Sequence, residues 1–201
     1  LQQIVGQRTV QRIPITEIAP DLRAEMRQPR LLPIPDQLME HGQPVPVYRE
    51  LVAELISLGQ SLRQHQIQPI VVYPGESAQF PLAHYLILVG QRRWTAASLV
   101  GLDTIDAIVV ETPAVIDRIR IQYAENEDRE EFSDMERTWT LQQMKQALGD
   151  SPWEDVEQKL QMSRARRQQL LRLSAFTPTQ QEHIAQLRLQ ETQLRTLHTA
   201  L

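Results

Sequence analysis

The chain has 201 residues, 41% of them hydrophobic, and a formal net charge of −4. That is enough apolar material for one large domain or two small ones, and no window approaches a membrane span. The absence of cysteine excludes a disulfide framework, a thiolate zinc site and a cysteine nucleophile. With no secretory signal in view, a cytoplasmic location is the expectation. The net charge hides an asymmetry: acids crowd between Glu111 and Glu136, whereas Ser163 to Leu173 holds four arginines and no acid.

In chain order, Val10 to Ile15 reads as a short strand, followed by an irregular run containing Gln28-Pro-Arg30. Prolines at 33, 35, 44 and 46 predict that 31–47 lacks regular structure and forms a loop or insertion. Apolar residues at 51, 52, 55, 58 and 62 make a helical stripe over Glu50 to Gln64. Ile70 to Tyr73 is a β-branched strand, and 75–81 is a turn region.

Tyr85 to Val89 is a five-residue apolar run with the character of a buried strand. Gly90, Gln91, Arg92 and Arg93 follow at once. Good helix formers begin at Trp94, and Gly101 is a natural stop. A strand that turns through glycine into a helix aims backbone N–H groups and the positive end of the helix dipole at whatever precedes it. Two arginines in the same turn add fork-shaped cationic donors, so a phosphate is the expected occupant. The same pattern is also compatible with an ordinary strand-to-helix turn carrying solvated arginines. It matches neither GxxxxGK[ST] nor GxGxxG.

Ile105 to Val110 predicts a fourth strand, and Thr112-Pro113 reads as a capped helix start. That helix is expected to bury Ile116, Ile119 and Tyr123 and to end in the run Glu125-Asn-Glu-Asp-Arg-Glu-Glu131. Such a run is a solvated face, or else an oxygen-rich site in which Glu125 and Asn126 meet Mg²⁺. From Met135 on, everything reads as helix. One spans Glu136 to Leu148. Another starts at the capping box Ser151-Pro-Trp-Glu154 and runs to about Leu160. Gln161-Met162 is a tight turn without glycine, and Ser163 caps a helix from Arg164 to Leu173. Two more start at Thr177-Pro178 and near Glu191. The five histidines are scattered without metal-ligand spacing, and Trp94, Trp139 and Trp153 fall on apolar helix faces.

Two short helices joined by a tight turn, the second opening Ser-Arg-Ala-Arg-Arg, fit a helix-turn-helix. Its second helix would enter a DNA groove by its N-terminal end, with Ser163, Arg164, Arg166, Arg167 and Gln168 nearest the duplex. A helical bundle with a basic surface is the alternative. Arginine serves both guanine edges and phosphates, and the sequence does not separate the two.

Gly90-Gln-Arg-Arg-Trp-Thr-Ala96, then Glu125-Asn-Glu-Asp-Arg129, then a helix-turn-helix, resembles the ParB family of chromosome and plasmid partition proteins. The family's boxes read GERRxRA and ENxQR. Gln28-Pro-Arg30, Gln68-Pro-Ile70 and Gly101-Leu-Asp-Thr-Ile-Asp-Ala-Ile108 are similar to further stretches of it. The chain departs from the pattern at Gln91, Thr95 and Asp128, and Ser133-Asp134 stands where Asn-Pro is usual.

The resemblance implies an α+β chain: a small mixed-sheet ParB/sulfiredoxin-like domain over 1–132, then an all-α helix-turn-helix domain over 133–201. It implies binding of CTP with Mg²⁺, in which Gly90, Gln91, Arg92 and Arg93 hold the triphosphate. Glu125, Asn126, Asp128 and Arg129 would complete the site, with Glu125 and Asn126 near the metal. It further implies a homodimer that closes as a clamp on palindromic double-stranded DNA and spreads, slow CTP hydrolysis, a ParA-type ATPase partner and residence on nucleoid or plasmid. Two other readings remain: a transcriptional regulator on the same fold without nucleotide binding, and a metal-dependent nuclease using the Glu125 to Glu131 run. Sulfiredoxin chemistry is excluded by the missing cysteine.

Overall fold

The computed structural model describes residues 9–22, 32–127 and 132–198. These form two compact units: 9–22 with 32–113, and from 114 onward. The first is a mixed sheet with helices and the second is all helix, as expected. The boundary expected at 132 lies one helix beyond this division.

In the first unit, β1 (Val10–Pro14), β2 (Ile18–Pro20), β5 (Ile70–Pro74), β6 (Tyr85–Val89) and β7 (Thr104–Val109) form a five-stranded sheet in the order β1-β7-β5-β6-β2. β1 runs antiparallel to β7, β5 parallel to β7 and antiparallel to β6, and β2 parallel to β6. Central β5 and β6 are apolar on both faces because both faces are covered, whereas edge strand β1 buries only Ile13. Ile13, Ile18, Ile70, Val72, Ile87, Ile105 and Ala107 pack with Trp94 and Ala97 of the helix that follows β6.

The stretch 31–47 corrects its expectation. Its described residues carry a helical turn, α1 (Pro35–Leu38), a hairpin of β3 (Met39–Glu40) and β4 (Gln43–Pro44), and a 3₁₀ turn at Pro46–Tyr48. The prolines are accommodated because Pro35 and Pro46 open their helical turns, where a missing N–H costs nothing. His41 and Gly42 both take positive φ (49° and 77°), the pairing a tight hairpin demands. Leu38, at 0% exposure, anchors the segment against Val52 and Leu55 of α2 (Arg49–Gln64) and Ala96 of α3 (Gln91–Leu99). α2 and α3 approach closely at Gly59, where a Cβ would lie 2.5 Å from the Ala96 carbonyl oxygen.

The second unit contains α4 (Val115–Glu127), α5 (Asp134–Leu148), α6 (Trp153–Leu160), α7 (Arg164–Leu171), a 3₁₀ turn (Arg172–Ala175), α8 (Pro178–Gln186) and α9 (Glu191–His198). Ile119, Tyr123, Phe132, Leu141, Met144, Val156, Leu160 and Leu170 make one core. Met135, Leu173, Phe176, Ile184, Ala185 and Leu194 make another.

Two expected caps are absent. α4 begins at Val115, three residues beyond Thr112, whose hydroxyl donates to the Pro74 carbonyl (3.3 Å). α6 has Pro152 at its N-cap with no side-chain cap, so Ser151 does not close a capping box. The boxes that do form are Ser133/Glu136 on α5 and Thr177/Gln180 on α8.

Candidate functional site

The first candidate site is the start of α3. Gly90 is its N-cap, at φ 103° and ψ 25°, and its carbonyl accepts from Arg93 N–H (3.0 Å) and Trp94 N–H (3.1 Å). The helix therefore starts at Gln91, three residues before the expected Trp94, and both arginines lie inside its first turn. Only glycine suits the position: the backbone is left-handed, and a Cβ would lie 2.7 Å from Ile70 Cγ2. No side chain caps this N-terminus, so the positive end of the helix dipole has no side-chain acceptor.

The two arginines are neither free nor simply solvated. Arg92 Nη2 donates to Glu54 Oε2 on α2 (3.1 Å). Arg93 Nη1 donates to the carbonyls of Gln68 (2.9 Å) and Pro69 (2.7 Å), just before β5. Burial lowers the Arg93 pKa, yet a guanidinium remains a cation at neutral pH. Gln91 is buried and donates from its amide to the Leu32 carbonyl (3.3 Å). Thr95 is fully buried, so it offers nothing to solvent. Trp94 is core: its indole N–H donates to the Ile15 carbonyl (3.3 Å) and its ring meets Phe80 edge-on at 5.9 Å.

Glu125 and Asn126 belong to the second unit, near the end of α4. Asn126 is buried, and its amide donates to the Gln122 carbonyl (2.8 Å). The acidic run is thus not wholly a solvated face. Adjacent helical residues diverge by about 100°, and the Asn126 amide nitrogen is committed to the Gln122 carbonyl. Mg²⁺ is bound through one or two carboxylates plus phosphates and waters, so the helix end needs to supply few ligands for such a site. Asp128 and Arg129, like Gln28-Pro-Arg30, lie outside the described residues.

The second candidate site is built on α6 and α7. α6 ends at Gln161 in the left-handed region (φ 52°), which takes the role the absent glycine would have had. Met162 N–H returns to the Glu157 carbonyl (2.9 Å), and Ser163 Oγ accepts from Arg166 N–H (3.2 Å), capping α7 as its sequence predicts. The predicted contact residues then separate. Ser163, Arg164 and Gln168 are exposed. Arg166 is half-buried and donates from Nη2 to Asp134 Oδ1. Arg167, at 8% exposure, is packed inward: its Nε lies 2.7 Å from Glu157 Oε1, and its guanidinium stands 5.0 Å over the Trp153 ring. Arg167 fixes α6 against α7.

Sequence reasoning missed the buried acids Asp134 and Glu191 and the half-buried Glu157, since each pairs with a residue at least ten positions away. The one local sign was an acid in a first helical turn, at Asp134 and Glu191.

Fold and sites together define a mixed-sheet unit with an uncapped, arginine-bearing helix start, followed by a helical unit with a helix–turn–helix pair. The ParB N-terminal domain family model matches residues 2–127, and the chain belongs to that family. It is 36% identical over 122 residues to a probable chromosome-partitioning protein ParB of Pseudomonas putida, covering 59% of this chain and 39% of that protein. It is 35% identical over 133 residues to the stage 0 sporulation protein J of Bacillus subtilis, covering 66% and 44%. The chain thus spans about two fifths of the length of the curated relatives it matches. In fold it is similar to the C-terminally truncated chromosome-partitioning protein ParB of Caulobacter crescentus complexed to the centromeric parS site. That match has a TM-score of 0.53 and 22% identity, and covers 94% of this chain and 84% of that one.

Proposed function

We propose that the chain is the DNA-reading and nucleotide-sensing portion of a partition protein, acting as a homodimer on a palindromic centromere-like site with a ParA-type ATPase as partner. The observation that carries this reading is the Ser163-capped α7, which leaves Arg164 and Gln168 exposed at the end that would meet a major groove. Residence on nucleoid or plasmid follows from the same reading. Among the described residues, no helix is long and apolar enough to cross a membrane.

CTP with Mg²⁺ would supply the triphosphate charge around which the dimeric clamp closes on DNA. The residues at α3 fit such a group: uncapped N–H groups, the dipole, and the cations Arg92 and Arg93 converge on one turn. An arriving phosphate competes with Glu54 for Arg92 and leaves the Arg93 carbonyl bonds in place. The family resemblance would put Glu125 and Asn126 near the metal. Hydrolysis, if it accompanies closure, is slow.

A second reading, a regulator without nucleotide binding, draws on the same contacts: both arginines already have partners within the chain.

The test is fluorescence anisotropy with a labelled duplex carrying the parS site, against a scrambled duplex of equal length. Wild type binds parS more tightly, and Arg164→Ala weakens binding by about tenfold, the cost of one good contact. Equal affinity for both duplexes, unchanged in Arg164→Ala, would remove α7 as the reader.

A further inference from the structure

We propose that Asp134 is a positioning residue for DNA recognition, holding Arg166 in one orientation for the duplex while tying the last helix to the same point; this rests on α7 being the reading helix. Asp134 is the first residue of α5, 7% exposed, and directly follows the Ser133 cap. Its two carboxylate oxygens are divided between two elements. Oδ1 accepts from Arg166 Nη2 on α7, with Arg137 Nη1 at 3.7 Å. Oδ2 accepts from the backbone N–H of Glu191, the first residue of α9 (3.0 Å). Glu191 itself is 2% exposed and receives Arg172 Nη1 (3.0 Å), just after α7, and Arg195 Nε (3.1 Å).

One buried carboxylate therefore fixes the side chain of Arg166, and a linked one fixes the end of the helix that carries it. Arg166 itself keeps 37% of its side chain exposed. A guanidinium presents five N–H donors in a rigid fork, so one arm bound to Asp134 leaves donors over for a second acceptor. A free arginine loses considerable rotamer freedom on binding, and an arginine already held by a carboxylate has lost it beforehand. The consequence is a sharper preference for the correct duplex, since a fixed fork matches one pattern of acceptors.

This residue is not legible as a functional one in the sequence. Asp134 stands where the related pattern has Pro, and its partners lie 32 and 57 positions away.

A double-mutant cycle on DNA affinity tests the proposal, read by anisotropy on the labelled parS duplex and a scrambled duplex, with Arg166→Ala, Asp134→Asn and the double variant. Arg166→Ala is expected to lower parS affinity about tenfold. Asp134→Asn lowers it several-fold in the wild-type background and leaves it unchanged when Arg166 is already alanine. An equal loss in both backgrounds means that Asp134 acts through the general fold and overturns the proposal, as does no loss at all in Asp134→Asn while Arg166→Ala is impaired. No loss in Arg166→Ala refutes the placement of Arg166 on the DNA and leaves the rest of α7 to be judged by Arg164→Ala. Arg166→Lys, at a half-exposed position that tolerates lysine, provides an independent arm. Lysine keeps the charge without the fork, so parS binding should fall nearly as far as in Arg166→Ala. Wild-type affinity in Arg166→Lys would contradict the proposal.

Discussion

At the residue scale, function and stability meet in the same side chains. Gly90→Ala forces a Cβ into a left-handed backbone and against Ile70, and should cost about 1–3 kcal/mol, read as a lower midpoint in urea unfolding. The sequence suggested a phosphate-binding role for Arg93 but not its two carbonyl partners, because they lie 24 and 25 residues upstream. Arg93→Ala should therefore destabilise the protein by about 1–3 kcal/mol as well as weaken nucleotide binding. Arg92→Ala, which breaks only an ion pair to the exposed Glu54, is the cleaner probe of the anion site.

Tyr123 gives a prediction in pH. Burial, then the neighbouring Glu127 carboxylate, pushes its hydroxyl pKa up. The folded protein thus holds this proton more tightly than the unfolded chain does. The contribution is whole below the unfolded tyrosine pKa of about 10 and declines as pH rises past it. Denaturation midpoints measured from pH 8 upward should fall less steeply in Tyr123→Phe than in wild type.

At the element scale, strand and helix positions were largely visible in the sequence, because burial and periodicity are local signals. β6 begins and ends where its apolar run does, and Ser163 caps α7 as its position suggests. The helix start at Thr112-Pro113 was misplaced: α4 begins at Val115, and the Thr112 hydroxyl donates to Pro74 of the sheet. Reading failed too where prolines fell on positions that tolerate them, in α1 and the hairpin that follows. The caps make a paired prediction. Ser163→Ala should cost about 1 kcal/mol in thermal unfolding, while Ser151→Ala, which removes no cap hydrogen bond, should leave the midpoint unchanged. A comparable loss in both would mean the cap assignments are wrong.

At the scale of the whole molecule, the order of boxes along the chain carried the family, and the fold agrees with it. What the sequence did not disclose is the division of labour among the α7 arginines: Arg164 outward, Arg166 held on Asp134, Arg167 packed on Trp153. Acid partners distant in sequence decide that division, and the basic run alone looks uniform. In the proposed function a nucleotide site at α3 governs a DNA reader at α7. The most direct test is calorimetric titration of CTP, then ATP and GTP, into the protein with Mg²⁺. CTP is expected to bind selectively, and more weakly in Arg92→Ala. Absence of binding by any of the three, in protein that still binds the parS duplex, would contradict this reading and leave a DNA-binding regulator without a nucleotide switch.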